Sequence, residues 1–234
     1  CLAALMQRVV IVGLSGGADS SVAALLLLRS GYDVVGAYMR NWDPRDEAAG
    51  ACDQDRDLRD ARRVASHLNI PFRELDFVKE YWTRVFEDTL DGFRRGITPN
   101  PDIACNSQVK FGAFLHTARS SLSADYIAQV RLLGTIMRAT ILFCDHKGHY
   151  ARIDARGDGP ARLLKAIDRG KDQSYFLSNV PGTALSHSLF PVGGLLKSQV
   201  REMAAEASLP TATKSESMGI CFIGERNFPD FLGT

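Results

Sequence analysis

Short runs of β-branched and apolar residues alternate along this chain with longer amphipathic stretches, a rhythm of strands and helices. The apolar segment Arg8 to Leu14 reads as a buried strand, and a helix over about 19–30 follows, with Gly31 as its stop. Asp33 to Met39 predicts a second strand, which runs into the polar loop Asn41-Trp42-Asp43-Pro44. A charged helix over about 53–68, a strand over 72–77 and an amphipathic helix over 79–93 continue the alternation. Thr98 to Asn106 carries two prolines and reads as a stiff loop before a helix over about 109–120. Ala124 to Ala128 reads as a fourth strand. Hydrophobic strands separated by helices predict an α/β fold, a doubly wound parallel sheet with helices on both faces.

The pattern breaks over 129–147, where Leu132, Leu133, Ile136, Met137, Ile141, Leu142 and Phe143 form an apolar patch that reads as an extra strand or short helix. Beyond it, Gly148 to Ile153 and Ala161 to Ile167 read as two strands around a Gly-Asp-Gly turn. Helical segments follow near 173–180 and 197–207. The expected division is a nucleotide-binding α/β domain over 1–170 and a smaller C-terminal appendage over 171–234. The aromatic pair Tyr175 and Phe176 reads as core, and Asp53 to Arg63 as a solvated helix face.

Between the first strand and first helix lies Gly13-Leu14-Ser15-Gly16-Gly17-Ala18-Asp19-Ser20. A turn of small residues there exposes backbone N–H groups beside the positive end of a helix dipole, an arrangement suited to phosphate. The glycines let backbone approach a ligand closely. Ser15 and Ser20 add hydroxyl donors, and Asp19 is a candidate ligand for a magnesium ion on the phosphates. No Gly-Lys-Ser/Thr follows, so the turn is not a Walker A loop, and it is not the G-x-G-x-x-G of dinucleotide folds. The pattern S-G-G-x-D-S resembles the PP-loop of ATP pyrophosphatases, which adenylate a substrate and release pyrophosphate.

Bulk numbers narrow the picture little. The 234 residues are 45% hydrophobic and 24% charged with net charge +1, ordinary globular values that give no electrostatic case for nucleic acid. No apolar run is as long as a membrane span. Five cysteines (Cys1, Cys52, Cys105, Cys144, Cys221) are irregularly spaced without a C-x-x-C pair, which argues against a secreted disulfide framework. Two of them sit in distinctive surroundings: Cys105 follows Asp102 by three residues, and Cys221 is flanked by Gly219 and Gly224. The chain opens on Cys1 and stops at Phe231-Leu232-Gly233-Thr234, so the expectation is that the natural start is missing or is Met6, and that the C-terminus is truncated.

In order along the chain, S-G-G-x-D-S, N-W-D, T-P-N-P-D-I-x-C-N, G-H-Y-A-R, K-D-Q-S-Y-F-L, F-P-x-G and S-M-G-I-C-F-I-G resemble the tRNA-specific 2-thiouridylase family, most of all its mitochondrial branch. The resemblance implies a PP-loop domain of the HUP, Rossmann-like kind, with the family's central and C-terminal domains absent here. It implies ATP on Gly13, Leu14, Ser15, Gly16, Gly17, Ala18, Asp19 and Ser20, with Met39 near the adenine and Gly148 also at the nucleotide. It implies adenylation of the C2 oxygen of the wobble uridine in tRNA, which makes a poor leaving group a good one. Cys221 would then carry a persulfide received from a cysteine desulfurase or sulfur-relay protein, and Cys105 would resolve it, leaving a Cys105–Cys221 disulfide. Asp102 would act as general acid/base, with Asn100 and Pro101 walling the uridine. His149, Lys171, Asp172 and Gln173 would contact tRNA. Location would be mitochondrial, or the bacterial cytoplasm as the alternative.

This chain departs from that pattern in two places. Residues 129–147 replace a single family residue, and read either as a translated intron or as a surface insertion looped out of the sheet. Lys214-Ser215-Glu216-Ser217 lacks the second lysine that relatives carry. Two competing readings stand beside thiolation: another PP-loop adenylating enzyme, which needs neither thiol, and a non-catalytic ATP- or tRNA-binding fragment.

Overall fold

The structure, a computed structural model, describes residues 9–43, 54–122, 128–129, 138–139, 141–142, 150–154 and 161–215. Its centre is a parallel sheet in the order β3-β2-β1-β6-β9, with strands β1 (Val9–Gly13), β2 (Asp33–Arg40), β3 (Phe72–Asp76), β6 (Ile141–Leu142) and β9 (Ser188–Leu189). β1 runs in register with β2 from Val9↔Asp33 to Gly13↔Ala37, and β2 with β3 from Gly36↔Phe72 to Arg40↔Asp76. On the other side of β1, Val12 pairs with Leu142, and β6 pairs with β9. The strand order therefore turns back at β1. Ligands of open α/β sheets sit beyond the carboxyl ends of strands at such a reversal, and the turn after β1 stands there.

Alternation along β1 explains both layers. Ile11 faces one buried cluster with Phe77, Tyr81, Val85, Cys105, Val109 and Phe114, while Val10 and Val12 face another with Val22, Ala61, Val64, Val200 and Ala204. The first cluster is covered by α3 (Val78–Tyr81), a wide π-helical turn (Trp82–Phe86), α4 (Glu87–Arg94), α5 (Pro101–Ala104), a second π-helical stretch (Cys105–Phe114) and α6 (Leu115–Ser121). The second is covered by α1 (Ala18–Arg29), α2 (Gln54–His67) and α8 (Lys197–Glu206), which lies against α1. The doubly wound parallel sheet expected from the hydrophobic pattern is the fold observed.

Several local expectations change. Thr98 to Asn106 is not a loop throughout: Asn100 caps α5, its side-chain oxygen accepting from the N–H groups of Asp102 (3.1 Å) and Ile103 (3.3 Å), with Pro101 as the first helical residue. A missing N–H is harmless at that position, so Asn-Pro starts a helix here rather than stiffening a loop. Asp102 and Cys105 consequently ride on one continuous helix.

The expected fourth strand, Ala124 to Ala128, lies mostly outside the described residues. Its last residue pairs in a separate antiparallel ladder of β4 (Ala128–Gln129) and β5 (Arg138–Ala139). The place beside β1 is taken instead by Ile141–Leu142, from the 129–147 segment, for which the sequence leaves an extra strand, a short helix and a looped-out insertion all open; at these two residues a strand forms. β7 (Ala151–Asp154) and β8 (Arg162–Lys165) form the expected antiparallel pair. Ser174–Leu177 is a single 3₁₀ turn, followed by the short helix α7 (Gly182–Leu185). Tyr175 is not core: it is 64% exposed, on a turn too short to bury both aromatics. β9 and α8 belong to the central sheet and its cover, so the sheet runs across the boundary drawn at residue 170.

Candidate functional site

The turn from Leu14 to Gly17 is closed by its own side chains. The Leu14 N–H donates to the Ala37 carbonyl at 2.7 Å, anchoring the end of β1. The Ser15 N–H donates to Ser20 Oγ (3.3 Å), the two serine oxygens lie 3.1 Å apart, and the Gly17 N–H points to Ser15 Oγ (3.4 Å). Ser20 and Ser21 both donate to the Gly17 carbonyl, at 3.0 and 2.8 Å. Gly16 adopts φ +73°, and a Cβ there would collide with the Asp57 carbonyl of α2. Only glycine satisfies both constraints. The serines are buried and knit the turn into a fixed shape.

Asp19, in the first turn of α1, is 6% exposed and held from two sides. Lys197 Nζ donates to both carboxylate oxygens at 2.7 Å, and the Tyr150 hydroxyl donates to Oδ1 at 3.0 Å. The ammonium also lies 5.8 Å from the centre of the Tyr150 ring. A magnesium ion on Asp19 would have to displace this ammonium. Among the described residues no group of three or more His, Cys, Asp or Glu side chains could hold a metal. The donor set therefore does not fit a resident magnesium on Asp19, and an ion arriving with a nucleotide comes as part of the substrate.

Lys197 is delivered by the F-P-x-G segment. Gly193 lies so close over β7 that a Cβ would overlap the Ala151 carbonyl, and the Ile167 N–H donates to the Gly193 carbonyl at 3.2 Å. Asp168 then accepts the Lys197 N–H at 2.9 Å, which stabilises the start of α8.

Cys105 is a buried thiol, 1% exposed, at the junction where α5 widens into the π-helical stretch. Such widened turns recur at functional sites. The thiol expected in a proline-stiffened loop thus sits on a helix, buried among Phe114, Val109 and their neighbours. Asn106 links it to the C-terminal part of the chain, its Nδ2 donating to the Phe176 carbonyl at 2.9 Å. The Phe176 N–H in turn donates to the Gln173 carbonyl (3.0 Å). Gln173 grips Tyr150 twice: its Oε1 accepts the Tyr150 N–H (3.3 Å), and its own N–H donates to the Tyr150 carbonyl (2.9 Å). A continuous path of backbone and hydrogen bonds therefore joins Cys105, Asn106, Phe176, Gln173, Tyr150 and Asp19.

Asp172 is turned toward its own chain. It accepts the N–H groups of Ala166 (3.0 Å) and Ser174 (3.3 Å) and the Ser174 hydroxyl (3.0 Å). Burial pushes its pKa up, but those hydrogen bonds and the charge of Lys165 outweigh it and hold the carboxyl below its ordinary value. These contacts hold the loop that carries Gln173. The Lys171 N–H donates to the Asp168 carbonyl (3.2 Å) in the same loop. Met39 is partly buried at the carboxyl end of β2, and Asn100, Pro101 and Asp102 stand at the start of α5. Gly148, His149 and Cys221 lie outside the described residues.

Three residues escaped sequence reasoning. Tyr150 sits inside G-H-Y-A-R but drew no attention as an aromatic. Lys197 carried a usable signal, because a cation at the first position of a helix opposes the dipole and implies an anionic partner. Lys214 is the third: Nζ donates to Asp57 Oδ1 and Asp60 Oδ2, both at 2.6 Å, while Ser21 and Thr211 hydroxyl oxygens lie 2.8 Å apart. Those contacts tie residues 211–214 to α1 and α2.

A family model described as "tRNA methyl transferase HUP domain" matches residues 8–225. A tRNA-specific 2-thiouridylase MnmA from Bacillus subtilis is 50% identical over 223 residues, covering 95% of this chain and 54% of that protein. The protein of the same name from Lactiplantibacillus plantarum is 48% identical over 224 residues, covering 96% of this chain and 54% of its own length. The chain thus spans about half the length (54%) of the curated relatives it matches. Among solved structures, NMN synthetase from Francisella tularensis matches with a TM-score of 0.51 at 17% identity, covering 97% of this chain and 72% of that one. That likeness speaks to the fold alone.

Proposed function

This chain belongs to the tRNA methyl transferase HUP domain family, and from that premise we propose that it is the ATP- and thiol-bearing part of a tRNA 2-thiouridylase. The observation that carries the reading is one family match that spans the phosphate-suited turn, Cys105 and Cys221. Relatives 48–50% identical bear the name of that activity.

In this reading the turn from Gly13 to Ser20 holds the ATP phosphates on backbone N–H groups, with Met39 near the adenine and Gly148 also at the nucleotide. The C2 oxygen of the wobble uridine attacks the α-phosphate, pyrophosphate leaves, and an adenylated uridine forms. The terminal sulfur of a Cys221 persulfide then adds at C2 and AMP departs. The Cys105 thiolate attacks Cys221 Sγ and breaks its bond to the outer sulfur, which stays on C2 as the thiocarbonyl; the Cys105–Cys221 disulfide so formed is reopened by an external thiol reductant. Asp102, one helical turn before Cys105, handles the protons at the base. Asn100 and Pro101 wall the base, and His149, Lys171 and Gln173 contact tRNA, with Asp172 shaping their loop. The exposed ring of Tyr175, on the turn that receives Asn106, offers a stacking face for an unpaired base. The buried state of Cys105 implies that tRNA or the persulfide segment opens the thiol during the cycle. A cysteine desulfurase or relay protein supplies the sulfur. The relatives named above come from bacteria, so the bacterial cytoplasm is the compartment we adopt over the mitochondrion.

The test is incubation of the protein with ATP, a cysteine desulfurase supplied with cysteine as the persulfide donor, a thiol reductant and unmodified tRNA, read as retardation on a mercury-containing gel. Retarded tRNA that requires ATP and disappears in Cys105→Ser is expected. Retardation that survives the loss of both Cys105 and Cys221 would contradict the reading.

A further inference from the structure

Lys197 and Asp19 stand 178 positions apart in sequence, yet their charges meet directly at the turn proposed to hold ATP. A carboxylate at that place would repel the phosphates the turn is shaped to receive. The ammonium cancels this charge, and it is the more open partner, with 15% of its side chain exposed against 7% for Asp19. The position is costly for a lysine, because the first residue of α8 faces the positive end of a helix dipole. The fold compensates locally, with Asp168 accepting the Lys197 N–H and Gln199 accepting the Leu196 N–H at 2.8 Å.

We propose that Lys197 is the phosphate-binding cation of the nucleotide site, and that Asp19 stores it at the turn until the nucleotide arrives. The inference rests on the reading of the Gly13–Ser20 turn as an ATP site and adds to it a residue from the far end of the chain. A lysine suits the exchange: its ammonium is a point charge on a flexible stem with rotatable donors, so it pivots from carboxylate to phosphate without backbone movement. Tyr150 continues to donate to Asp19 Oδ1, so the carboxylate keeps a partner after the ammonium turns away. In this arrangement Asp19 is a positioning residue and Lys197 touches the phosphates.

The experiment measures binding of ATP, adenosine and inorganic pyrophosphate by calorimetry in metal-free buffer, to the wild-type chain, Lys197→Met, Lys197→Arg and Asp19→Asn. Wild type is expected to prefer ATP over adenosine by about tenfold or more, the worth of one charge-assisted contact. Lys197→Met loses that preference while holding adenosine as wild type does, and Lys197→Arg recovers part of it. Asp19→Asn, which removes the competing carboxylate, binds pyrophosphate more tightly than wild type; a structural ion pair gives no such gain. An unchanged ATP preference in Lys197→Met overturns the proposal. Should Lys197→Met fail to hold adenosine as well, Asp19→Asn decides, and pyrophosphate binding that is unchanged or weaker overturns it. Failure of wild type to prefer ATP over adenosine is a separate result and counts against the nucleotide reading itself.

Discussion

Asp19 and Asp172 are carboxylates that the sequence motifs point toward ligands and that the fold turns toward its own chain. Asp19 meets Lys197 and Tyr150; Asp172 meets the N–H groups of Ala166 and Ser174. Neither partnership was legible from spacing, because what determines each is a loop geometry or a contact across the molecule. The serine and glycine pattern of the turn was legible, because a φ of +73° at Gly16 and a close backbone approach leave one residue type. Gly16→Ala is expected to destabilise the protein by roughly 2 kcal/mol, combining left-handed strain with the collision against Asp57; a urea titration measures it, and an unchanged midpoint contradicts the geometry. Asp172 also has a pH signature. Its folded-state pKa lies below the ordinary 3.8, so its stabilisation is complete above pH 3.8 and is lost as pH falls through the lowered value. Asp172→Asn should therefore lower stability by about 1 kcal/mol at pH 7. The gap to wild type should narrow in melts taken below pH 3.8.

Among the elements, the long strands and helices were readable because their periodicity is sustained over many residues: β1 to β3, α1, α2 and α8 fall within a residue or two of expectation. The start of α5 was misjudged for a local reason. Two prolines in nine residues suggest a loop, while Asn100 supplies the cap and makes position 101 a helical site where proline costs nothing. Asn100→Ala should cost about 1 kcal/mol in thermal or urea unfolding. It should also slow sulfur transfer more than ATP binding, because the cap orients Asp102 and Cys105 and lies outside the nucleotide turn. Equal losses in both would contradict that assignment. For β6 the sequence leaves an extra strand, a short helix and a looped-out insertion open, because two residues carry no usable period; pairing beside β1 decides it.

Across the whole molecule, the sheet reverses direction at β1 and leaves the nucleotide turn at the resulting crevice. The C-terminal third closes on it twice, through Lys197 on Asp19 and Lys214 on Asp57 and Asp60, while Gln173 and Asn106 tie the thiol helix to the same Tyr150. The motifs disclosed the parts in sequence, but this convergence depends on contacts between residues more than a hundred positions apart, which no local pattern encodes. In the function we propose, a chain built this way performs two separable steps in one place: activation of a base by ATP, then attack by sulfur. Transfer of label from ATP, radioactive at the α-phosphate, to unmodified tRNA by Cys221→Ala tests that claim most directly. Labelled tRNA that accumulates without any thiouridine is the predicted result. Thiouridine formed by that variant, or no label on tRNA where wild type thiolates it, would contradict the account.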